Sequence, residues 1–400
     1  MKSLSRYSST AESVLLLEHF CCRADLATYD PYDIWKTPLG FHVKDLFNRN
    51  RAVGFLPAAG LTLFDVFLNG SVQLFYSRQE YPIVRALAAL SLLNLYQSGG
   101  KRAHLEFARQ HLQWLAEHGC HGYAGACWGL GFDYPVSPTI IYDANTPFCT
   151  ITPYVLDAFV EYNKVTGDSG YSSLVGSIHD FFDRDIRVMQ ETDDWMATSY
   201  GPLPDRIVTN AISYVMYSYA QLLPYLTGQA REKALLRTGK LYAFLRLNQQ
   251  PDGSWFYSPE GRSFIDCFHT CIVLKNIVKT SRLVDLPDST AIVTRGYGYM
   301  KEKMYDARRG LFRRFSLSNK PSLVKYDLYD NAEVLGLAVL LGDDQLVASL
   351  SRAIDQTFHR GLDVYSQIDG LGVRRNKNML RWAVMPYLYT LSEIAGHHVA

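Results

Sequence analysis

Apolar side chains recur along this chain at the spacing of an α-helix. Between residues 207 and 223, apolar residues fall at positions i, i+1, i+4, i+5 and i+8, which forms one wide stripe. Similar stripes recur at 11–23, 81–97, 101–118, 147–165, 171–188, 229–248, 265–280, 289–304, 327–341, 343–358 and 379–395. Convincing alternating strand patterns are few. The pattern therefore predicts an all-α protein.

The connections between these segments alternate in length. Short connections contain turn residues and fall at 97–100, 166–170, 226–228 and 341–343. Long connections, rich in Gly, Pro, Asp and aromatic residues, fall near 119–146, 189–206, 249–264, 305–326 and 359–378. Helix pairs therefore recur, and about six pairs fit in the chain. This repeat predicts a closed (α/α)6 toroid. An open α-α solenoid is the alternative, because the sequence does not show closure.

No linker or low-complexity segment divides the chain, so we expect one toroid domain over 1–400. A less regular N-terminal segment, 1–80, is expected to close the ring. Alternating loop lengths place all long loops at one end of the ring, directly before the first helix of each pair. The N-termini of those helices then face a shared cavity with their positive dipole ends. Long loops and the first helical turns that follow them are therefore the candidate site regions.

Composition narrows the function classes. Lys and Arg number 40 against 39 Asp and Glu, a net charge of +1, which argues against nucleic-acid binding. Hydrophobic residues make up 48% and charged residues 20%, as in a globular protein with a large core. Aromatic residues reach 13%, with 27 Tyr. Tyrosine often lines wet clefts, although helix packing accounts equally well for most of them.

The seven cysteines are scattered, odd in number and free of any Cys-x-x-Cys pair. A disulfide framework or zinc ribbon is therefore not expected, and a reducing, cytoplasmic compartment is. No Cys/His set has ligand spacing, so the sequence predicts no metal and no cofactor.

The chain shows neither a signal peptide nor a transmembrane pattern. Its first residues lead into a helical segment that contains Glu12 and Glu18, unlike the apolar core of a signal peptide. The most apolar stretch, 54–76, is interrupted by Pro57 and Asp65, so we expect no transmembrane helix. Peripheral membrane association of this stretch is left open.

A first candidate site lies at Tyr-Asp-Pro-Tyr-Asp, residues 29–33. Carboxylates accept hydrogen bonds from sugar hydroxyls and aromatic rings pack on sugar faces, so Tyr29, Asp30, Tyr32 and Asp33 are candidate substrate contacts. The alternative is a turn in which the two aspartates cap backbone amides.

The following long loops supply further candidate contacts. A run rich in Gly and aromatic residues follows Trp128, and Asp143 and Asn145 come shortly after it. Tyr200 lies in the next long loop. For the segment that contains Asp143 and Asn145, the alternative is structural: an N-cap residue followed by proline at the first helical position.

Residues 249–255 read Gln-x-x-Asp-Gly-Ser-Trp and match the QW motif of terpene cyclases and protein prenyltransferase β subunits. Those proteins are α-α toroids in which the motif mostly ties helices together. The resemblance therefore favours a structural role, although Trp255 is retained as a candidate substrate contact.

Asp266 and His269 open a first-of-pair helix as i, i+3 neighbours. A carboxylate beside an imidazole orients it and raises its basicity, as general acid–base catalysis requires. The alternative is an N-cap and a packed histidine. The segment also resembles the Asp-x-x-His-Thr-Cys stretch of zinc prenyltransferase β subunits. Their upstream Asp-x-Cys motif is missing, as is the Asp-x-Asp-Asp motif of triterpene cyclases.

Two later helix starts complete the candidates. Tyr326, Asp327 and Asp330 open one helix, with the two aspartates on one face as a possible acid and base; favourable charge at a helix N-terminus is the alternative. Arg381 and Trp382 open the last helix, where they suit an acidic sugar and stacking against its ring.

Together, these segments resemble one family, the α-α toroid proteins encoded in bacterial capsule, exopolysaccharide and O-antigen biosynthesis clusters. The shared segments are 29–33, 127–133, 166–168, 265–270 and 381–382. The resemblance covers most of 29–395, but residues 34–38 replace a Gly-Leu-Asn-Ser-like stretch. It implies a carbohydrate-active protein in a polysaccharide pathway, related in fold to (α/α)6 carbohydrate-active enzymes and to terpene cyclase and prenyltransferase toroids.

Three functions are compatible with these residues. The first is acid–base chemistry on a glycan in a central cavity. Proton abstraction by a lyase or C5-epimerase would use His269, Tyr200, Tyr326 and Arg381, and hydrolysis would use Asp30, Asp143, Asp327 and Asp330. The second is a non-catalytic glycan-binding or scaffold subunit. The third is an isoprenoid-processing toroid. The expected partners are a polysaccharide or oligosaccharide and no nucleic acid, with a membrane surface or polysaccharide-assembly machine left open.

Overall fold

A computed structural model describes residues 10–70, 72–260, 263–318 and 322–397. Its α-helices, in chain order, are α1 Thr10–Cys21, α2 Pro38–Arg49, α3 Arg51–Phe64, α4 Pro82–Gly99, α5 Arg102–Glu117, α6 Thr152–Thr166, α7 Ser172–Asp180, α8 Thr209–Leu222, α9 Gly228–Asn248, α10 Cys267–Ser281, α11 Ser289–Lys303, α12 Leu328–Leu341, α13 Asp344–Phe358 and α14 Met385–His397. The predicted all-α class is confirmed.

The ring is closed, as an (α/α)6 toroid requires. Its inner helices are α4, α6, α8, α10, α12 and α14; each packs on the next, and α14 packs on α4. Asn94 of α4 donates a hydrogen bond to the Ser392 hydroxyl of α14 at 2.9 Å. The outer helices are α5, α7, α9, α11 and α13, and α1 packs against α14 and α4 as the sixth. The first and last helices of the described chain therefore form one pair.

Burial separates the two helix layers. Nearly every residue of α8 is buried, whereas α5 buries only one side. A helix that is apolar all round belongs inside, and an amphipathic one belongs at the surface. Short turns join the inner helices to the outer ones. Gly167 and Gly342 end α6 and α12 at φ values of 69° and 70°, a left-handed conformation that favours glycine.

The long loops all lie at the N-terminal end of the inner helices, as the loop pattern predicts. They contain short antiparallel strands that the sequence pattern did not predict, because all but one have only two to four residues, too few to show alternation; β11 has seven. Strands β1 Tyr134–Pro135, β2 Ile141–Tyr142, β3 Val188–Glu191, β4 Met196–Thr198, β5 Ile265–Asp266, β6 Tyr305–Asp306, β7 Leu311–Phe312 and β8 Phe315–Leu317 pair as β1–β2, β3–β4, β5–β8 and β6–β7. Strands β9 Val324–Asp327, β10 His359–Arg360, β11 Asp363–Asp369 and β12 Arg374–Lys377 form one sheet centred on β11.

The N-terminal segment, expected to be less regular, contains two helices besides α1. Helices α2 and α3 form a hairpin outside the ring, and a π-helical turn, Asp65–Asn69, extends α3. The apolar residues of α3 surround the helix, so no stripe marked it. The helix Arg51–Asn69 has 19 residues, and its most apolar part has a mean hydropathy of 1.5 and is 11% buried. By length and composition alone this helix could cross a membrane, but a single helix of this kind is not a clear membrane-protein signal.

Candidate active site

A cavity of about 190 Å³ opens where the inner helices begin. Its helical wall comes from the first two turns of α4, α6, α8, α10 and α12 and from the turn before α14. The lining residues from these turns are Ile83, Tyr154, Asn210, Tyr214, Phe268, His269, Ile272, Tyr329, Arg381 and Trp382. The long loops and the residues just before α6 add Leu130, Phe148, Thr150, Ile151 and Tyr200.

His269 is oriented by Asp266 at the cavity wall. The Nδ1 atom of His269 lies 2.7 Å from Oδ2 and 2.9 Å from Oδ1 of Asp266. A carboxylate can only accept, so Nδ1 is the nitrogen that carries the hydrogen. In the neutral ring, Nε2 is then an acceptor, free to take a proton from a bound molecule. The His269 side chain is 19% exposed, whereas that of Asp266 is 2% exposed.

Local backbone structure fixes this pair. Asp266 ends β5, which pairs with β8, and it immediately precedes α10. The Thr270 hydroxyl donates to the Asp266 carbonyl at 2.6 Å and secures the first turn. Rings surround the imidazole: the centroid of Phe268 is 3.8 Å from that of His269, and that of Tyr257 is 4.7 Å away. The pair therefore occupies a stiff, mostly apolar part of the wall.

Arg381 and Trp382 form the wall before α14. The Nε atom of Arg381 donates to Asp30, whose side chain is fully buried. Burial alone would raise the pKa of Asp30, but the charges of Arg381 and Lys36 hold this pKa below its usual value. A guanidinium has five N–H donors, so Arg381 retains others for a ligand in the cavity. Asp30 therefore contacts Arg381 and does not itself line the cavity.

An unusual backbone conformation at Ala383 positions Arg381 and Trp382 at the cavity. Ala383 is fully buried and has a φ of 86°, where residues other than glycine are strained. The carbonyl oxygen of Trp382 accepts a hydrogen bond from the Ser366 hydroxyl at 2.7 Å instead of joining a helix. The apolar stripe predicts a last helix that begins at 379, but the regular helix starts at Met385. This break holds Arg381 and Trp382 at the cavity.

Asp327 lies behind the wall. It is fully buried and caps α12 by accepting from the Tyr329 amide at 2.9 Å. Its Oδ2 accepts from the Trp382 indole N–H at 3.0 Å and lies 3.3 Å from the guanidinium of Arg314. The carboxylate therefore supports Trp382 and does not line the cavity.

Asp330 also lies behind the cavity wall, where its carboxyl group is only partly hydrogen-bonded. Its Oδ1 accepts from the Phe268 amide at 3.1 Å, while its buried Oδ2 has no partner. Burial raises the pKa of Asp330 well above its usual value, and the carboxylates of Asp327 and Asp266 add to the rise. The geometry does not place Asp327 and Asp330 as an acid and base at a bond in the cavity.

Tyr154 and Tyr214 line the cavity with their hydroxyl oxygens 2.6 Å apart. Burial raises both pKa values well above the usual range, so both are neutral phenols near neutral pH. Tyr200 also lines the cavity; its hydroxyl accepts from Thr150 at 3.1 Å, and the Arg206 guanidinium lies 4.5 Å from its ring centroid.

Two candidate tryptophans are packing residues. The indole N–H of Trp128 donates to the Leu115 carbonyl of α5 at 2.9 Å, and that of Trp255 donates to the Leu245 carbonyl of α9 at 2.8 Å. Each ring therefore fastens a long loop to the end of an outer helix. Neither lines the cavity, which agrees with the structural reading of the QW-like motif.

Asp143 and Asn145 are exposed and lie outside the cavity. Asp143 accepts from the Thr146 hydroxyl at 2.8 Å. Asn145 accepts from the amide of His121 and donates to the carbonyl of the same residue, each at 2.9 Å. Both side chains are therefore occupied in shaping their loop.

The remaining candidates lie around the cavity or outside it. Tyr32 packs edge-on against Trp382 with a centroid distance of 5.1 Å, and Asp33 pairs with Lys36 at 2.6 Å. Tyr29 and Tyr326 line two outer grooves instead, and the Tyr326 hydroxyl donates to Asp306 at 2.7 Å.

Sequence reasoning missed several cavity residues. Tyr154, Asn210, Tyr214 and Tyr329 all lie in the first two turns of inner helices. The rule that long loops precede first-of-pair helices could have found them, but these residues carry no charge, and Tyr329 was passed over in favour of the aspartates beside it. The sequence offered no further signal.

Comparisons with known proteins show the fold. No protein-family model matches this chain, and no curated protein is similar to it at the sequence level. A sugar epimerase from a ruminal bacterium has a TM-score of 0.61 and 11% identity, over 80% of this chain and 88% of that one. Cellobiose 2-epimerase from Bacillus thermoamylovorans gives 0.60 and 12%, over 80% and 88%. A GH76 α-mannanase from Bacteroides thetaiotaomicron gives 0.58 and 10%, over 92% and 99%.

These neighbours define the class of fold to which this chain belongs, a six-hairpin (α/α)6 toroid of the kind found in carbohydrate-active enzymes. At 10–12% identity, the likeness reaches no further than the fold.

Proposed function

We propose that this protein is a carbohydrate-active enzyme that removes a proton from a carbon atom of a bound sugar, with His269 as the general base. One observation carries the proposal: Asp266 fixes Nδ1 of His269 as the protonated nitrogen and leaves Nε2 at the cavity as the acceptor. The likeness in fold to sugar epimerases supports it.

The reaction follows from the groups around the cavity. Nε2 of His269 takes a proton from a carbon next to a carboxylate or carbonyl group, and the electron pair of the C–H bond moves onto the oxygen of that group. The guanidinium of Arg381 balances the developing negative charge. A proton returned to the opposite face gives epimerisation, and loss of the substituent on the next carbon gives elimination. The hydroxyl of Tyr154 or Tyr214 is a candidate proton donor for the return step.

Hydrolysis is less well supported by this geometry. Glycoside hydrolysis usually requires two carboxyl groups flanking the bond. No carboxyl group lines the cavity among the residues that the structure describes. Asp30 and Asp327 are buried against Arg381 and Trp382 instead. The site therefore favours an epimerase or lyase over a hydrolase.

The size of the cavity narrows the substrate. Its volume of about 190 Å³ is below the roughly 300–1,000 Å³ of pockets for drug-sized ligands. We infer that it holds one sugar residue, either a free sugar or the end of a glycan. A place in bacterial polysaccharide biosynthesis, in the cytoplasm, is part of this proposal; the pathway rests on the motif resemblance and the compartment on the scattered cysteines.

A non-catalytic glycan-binding subunit is the second candidate. The missing carboxyl pair favours it, because aromatic rings, Asn210 and Arg381 suffice to hold a sugar without turnover. Binding without proton exchange would distinguish it from the enzyme.

Deuterium exchange tests the proposal directly. The purified chain is incubated in D2O with cellobiose, D-mannose or a disaccharide ending in glucuronate, and deuterium at each carbon is read by NMR. We expect exchange in at least one sugar, and His269→Ala and His269→Gln should slow it on the order of 10²–10⁴-fold. His118→Ala, an exposed histidine stacked on Trp114, is the matched control and should exchange normally.

Two results would count against the enzyme. Saturable binding of a sugar with no exchange in any carbon would favour the binding subunit. Normal exchange by both His269 variants would exclude this residue as the base.

A further inference from the structure

The hairpin of α2 and α3 with the loop behind it, residues 38–76, is here called the apolar hairpin. A Cβ atom on Gly54 would lie 2.3 Å from Cα of Phe47, so the two helices cross in close contact. Large apolar side chains of the hairpin away from this crossing are exposed. Those exposed are Leu39, Leu46, Val53, Phe55, Leu56, Leu63, Phe67, Leu68, Val72, Leu74 and Phe75. Soluble proteins rarely expose many large apolar side chains within one short segment without using them.

The loop that follows α3 is held in a strained conformation that exposes its apolar side chains. The buried Asn69 accepts from the Leu74 amide at 2.8 Å and donates to the Leu74 carbonyl at 3.0 Å. Gln73 and Phe75 have φ values of 59° and 67°, unfavourable for bulky residues. The Phe75 side chain is nevertheless 87% exposed. The Phe75 ring is therefore exposed on a loop whose backbone is strained.

Basic residues border this apolar surface. A groove of about 500 Å³ includes Gly70 and Gln73 of the hairpin and the cations Arg23, Arg78, Arg374 and Lys377. A second groove, about 520 Å³, shares Tyr365 and Arg374 with the first and adds Arg309, Lys325 and Arg360. No acidic residue lines either groove in the described part of the chain.

Two of these cations are paired with carboxylates beside the grooves, Arg78 with Asp25 at 3.3 Å and Lys377 with Asp363 at 3.4 Å. Arg374 instead donates to the backbone carbonyls of Thr357 and Gln356, so its charge is not neutralised by these contacts.

Cations also lie at both ends of the hairpin. The Arg375 guanidinium is 5.8 Å from the Phe67 ring centroid, and the exposed Arg49 and Arg51 lie at the turn between α2 and α3. Apolar and positively charged groups therefore form one surface.

We propose that the apolar hairpin inserts into the interface of a lipid bilayer that contains anionic phospholipid, while the basic grooves contact the headgroups. An apolar helix face buried at the headgroup boundary, together with nearby Lys and Arg, is the usual combination for interfacial binding. A bilayer with anionic phospholipid matches both the exposed apolar side chains of the hairpin and the positive charge of the grooves. A protein partner would need an acidic rim around an apolar groove.

The hairpin lies on the bilayer and does not cross it. Lys44 donates to the Tyr134 hydroxyl at 3.0 Å, and Asn48 donates to the Pro135 carbonyl at 3.0 Å, so α2 stays attached to the ring. The hairpin also follows closely after Asp30, which accepts a hydrogen bond from Arg381 at the cavity wall, so a short connection joins the hairpin to that wall.

Vesicle sedimentation tests this proposal with the purified chain. Vesicles of phosphatidylcholine alone are compared with vesicles in which about one third of the lipid is phosphatidylglycerol. We expect partition onto the anionic vesicles that weakens with added salt. Leu56→Ser combined with Phe75→Ser should lower the partition coefficient at least about tenfold, because two exposed apolar side chains lose their lipid contact. Arg374→Gln with Lys377→Gln should lower it on the order of tenfold.

A matched control uses exposed leucines outside the hairpin. Leu236 and Leu247 of α9 are 61% and 62% exposed, so Leu236→Ser with Leu247→Ser should leave the partition coefficient unchanged. Circular dichroism confirms that each variant keeps its helices. This assay needs no turnover, so its outcome is independent of the proposed enzyme activity.

Three outcomes would overturn the proposal. The first is no partition onto anionic vesicles. The second is partition that the hairpin substitutions leave unchanged. The third is a dimer in analytical ultracentrifugation that Leu56→Ser with Phe75→Ser dissociates, which would assign this surface to a second copy of the chain.

Discussion

The Nδ1 atom of His269 lies 2.7 Å from Oδ2 of Asp266, across the first turn of α10. Asp266 is buried while the imidazole reaches the cavity, so the carboxylate contacts the histidine and not a bound sugar. Asp266 is therefore a positioning residue in the proposed mechanism, and its effect should differ from that of a binding residue.

The variant Asp266→Asn should distinguish a positioning role of this residue from a sugar-binding role. An asparagine amide can donate to Nδ1 and so favour the tautomer with its hydrogen on Nε2, which cannot take a proton. We expect kcat for deuterium exchange to fall on the order of 10²–10⁴-fold with KM close to the wild-type value. The exposed Asp168→Asn serves as the control. A rise in KM with unchanged kcat would contradict the positioning role.

The Arg381–Asp30 pair should contribute strongly to stability. Removing one partner of a buried ion pair leaves an uncompensated charge, so Arg381→Met should lower the free energy of unfolding by about 3–5 kcal/mol. Adding Asp30→Asn should restore part of this loss, because the unpaired carboxylate is gone. Urea denaturation of the two single variants and the double variant measures the coupling. Strictly additive losses would show that the pair is not coupled.

The raised pKa of Asp330 predicts a pH dependence of stability. The unfolded chain loses this proton near pH 4, whereas the folded chain keeps it to higher pH. Between the two pKa values, each pH unit therefore lowers the free energy of unfolding by about 1.4 kcal/mol from this group. Asp330→Asn is neutral at every pH and should remove this loss.

The advantage of Asp330→Asn over the wild type should thus grow as the pH rises from about 4 toward neutrality. Thermal unfolding of both proteins at a series of pH values measures it. A variant that is less stable by the same amount at every pH would instead show that the Asp330 carboxyl is ionised throughout.

Trp255→Phe should affect stability and not the cavity. The substitution removes the N–H that donates to the Leu245 carbonyl, leaving a buried oxygen unpaired. We expect a loss of about 1–3 kcal/mol in the free energy of unfolding, with sugar binding unchanged. Calorimetry gives both quantities. Weaker sugar binding by a fully folded variant would restore Trp255 as a substrate contact.

The absence of bound zinc remains a prediction. No group of three or more metal-binding side chains occurs among the described residues. Elemental analysis of the purified chain should therefore find no stoichiometric zinc. One zinc per chain would revive the resemblance of residues 265–271 to the zinc prenyltransferases.

Much of the fold could be predicted from the sequence, because helical periodicity and loop length are local properties. The stripe at 289–304 corresponds to α11, Ser289–Lys303, and that at 343–358 to α13, Asp344–Phe358. The alternation of short and long loops placed the cavity at the N-termini of the inner helices. The number of helix pairs favoured a closed ring, but only the structure decides against the open solenoid, because closure depends on packing between α1, α4 and α14, which are far apart in the chain.

The site could be predicted only in part. His269, Tyr200, Arg381 and Trp382 were chosen from their loops and helix starts, and they line the cavity. The carboxylates Asp30, Asp266 and Asp327 were chosen by the same rule, yet they lie behind that wall. The sequence places a residue on a turn, but whether its side chain reaches the cavity depends on the rotation of the helix and on the strands before it.

The sequence by itself therefore determined the helices of the ring, their pairing and the end of the ring that holds the site, since each follows from spacing along the chain, whereas the predicted helices do not include α2 and α3. The tertiary structure alone decided which side chains meet. The break at Ala383 that turns Arg381 inward, the pairing of that guanidinium with Asp30 and the outward face of α3 all arise from contacts between distant segments. Such contacts depend on how whole elements pack, and no local pattern records them.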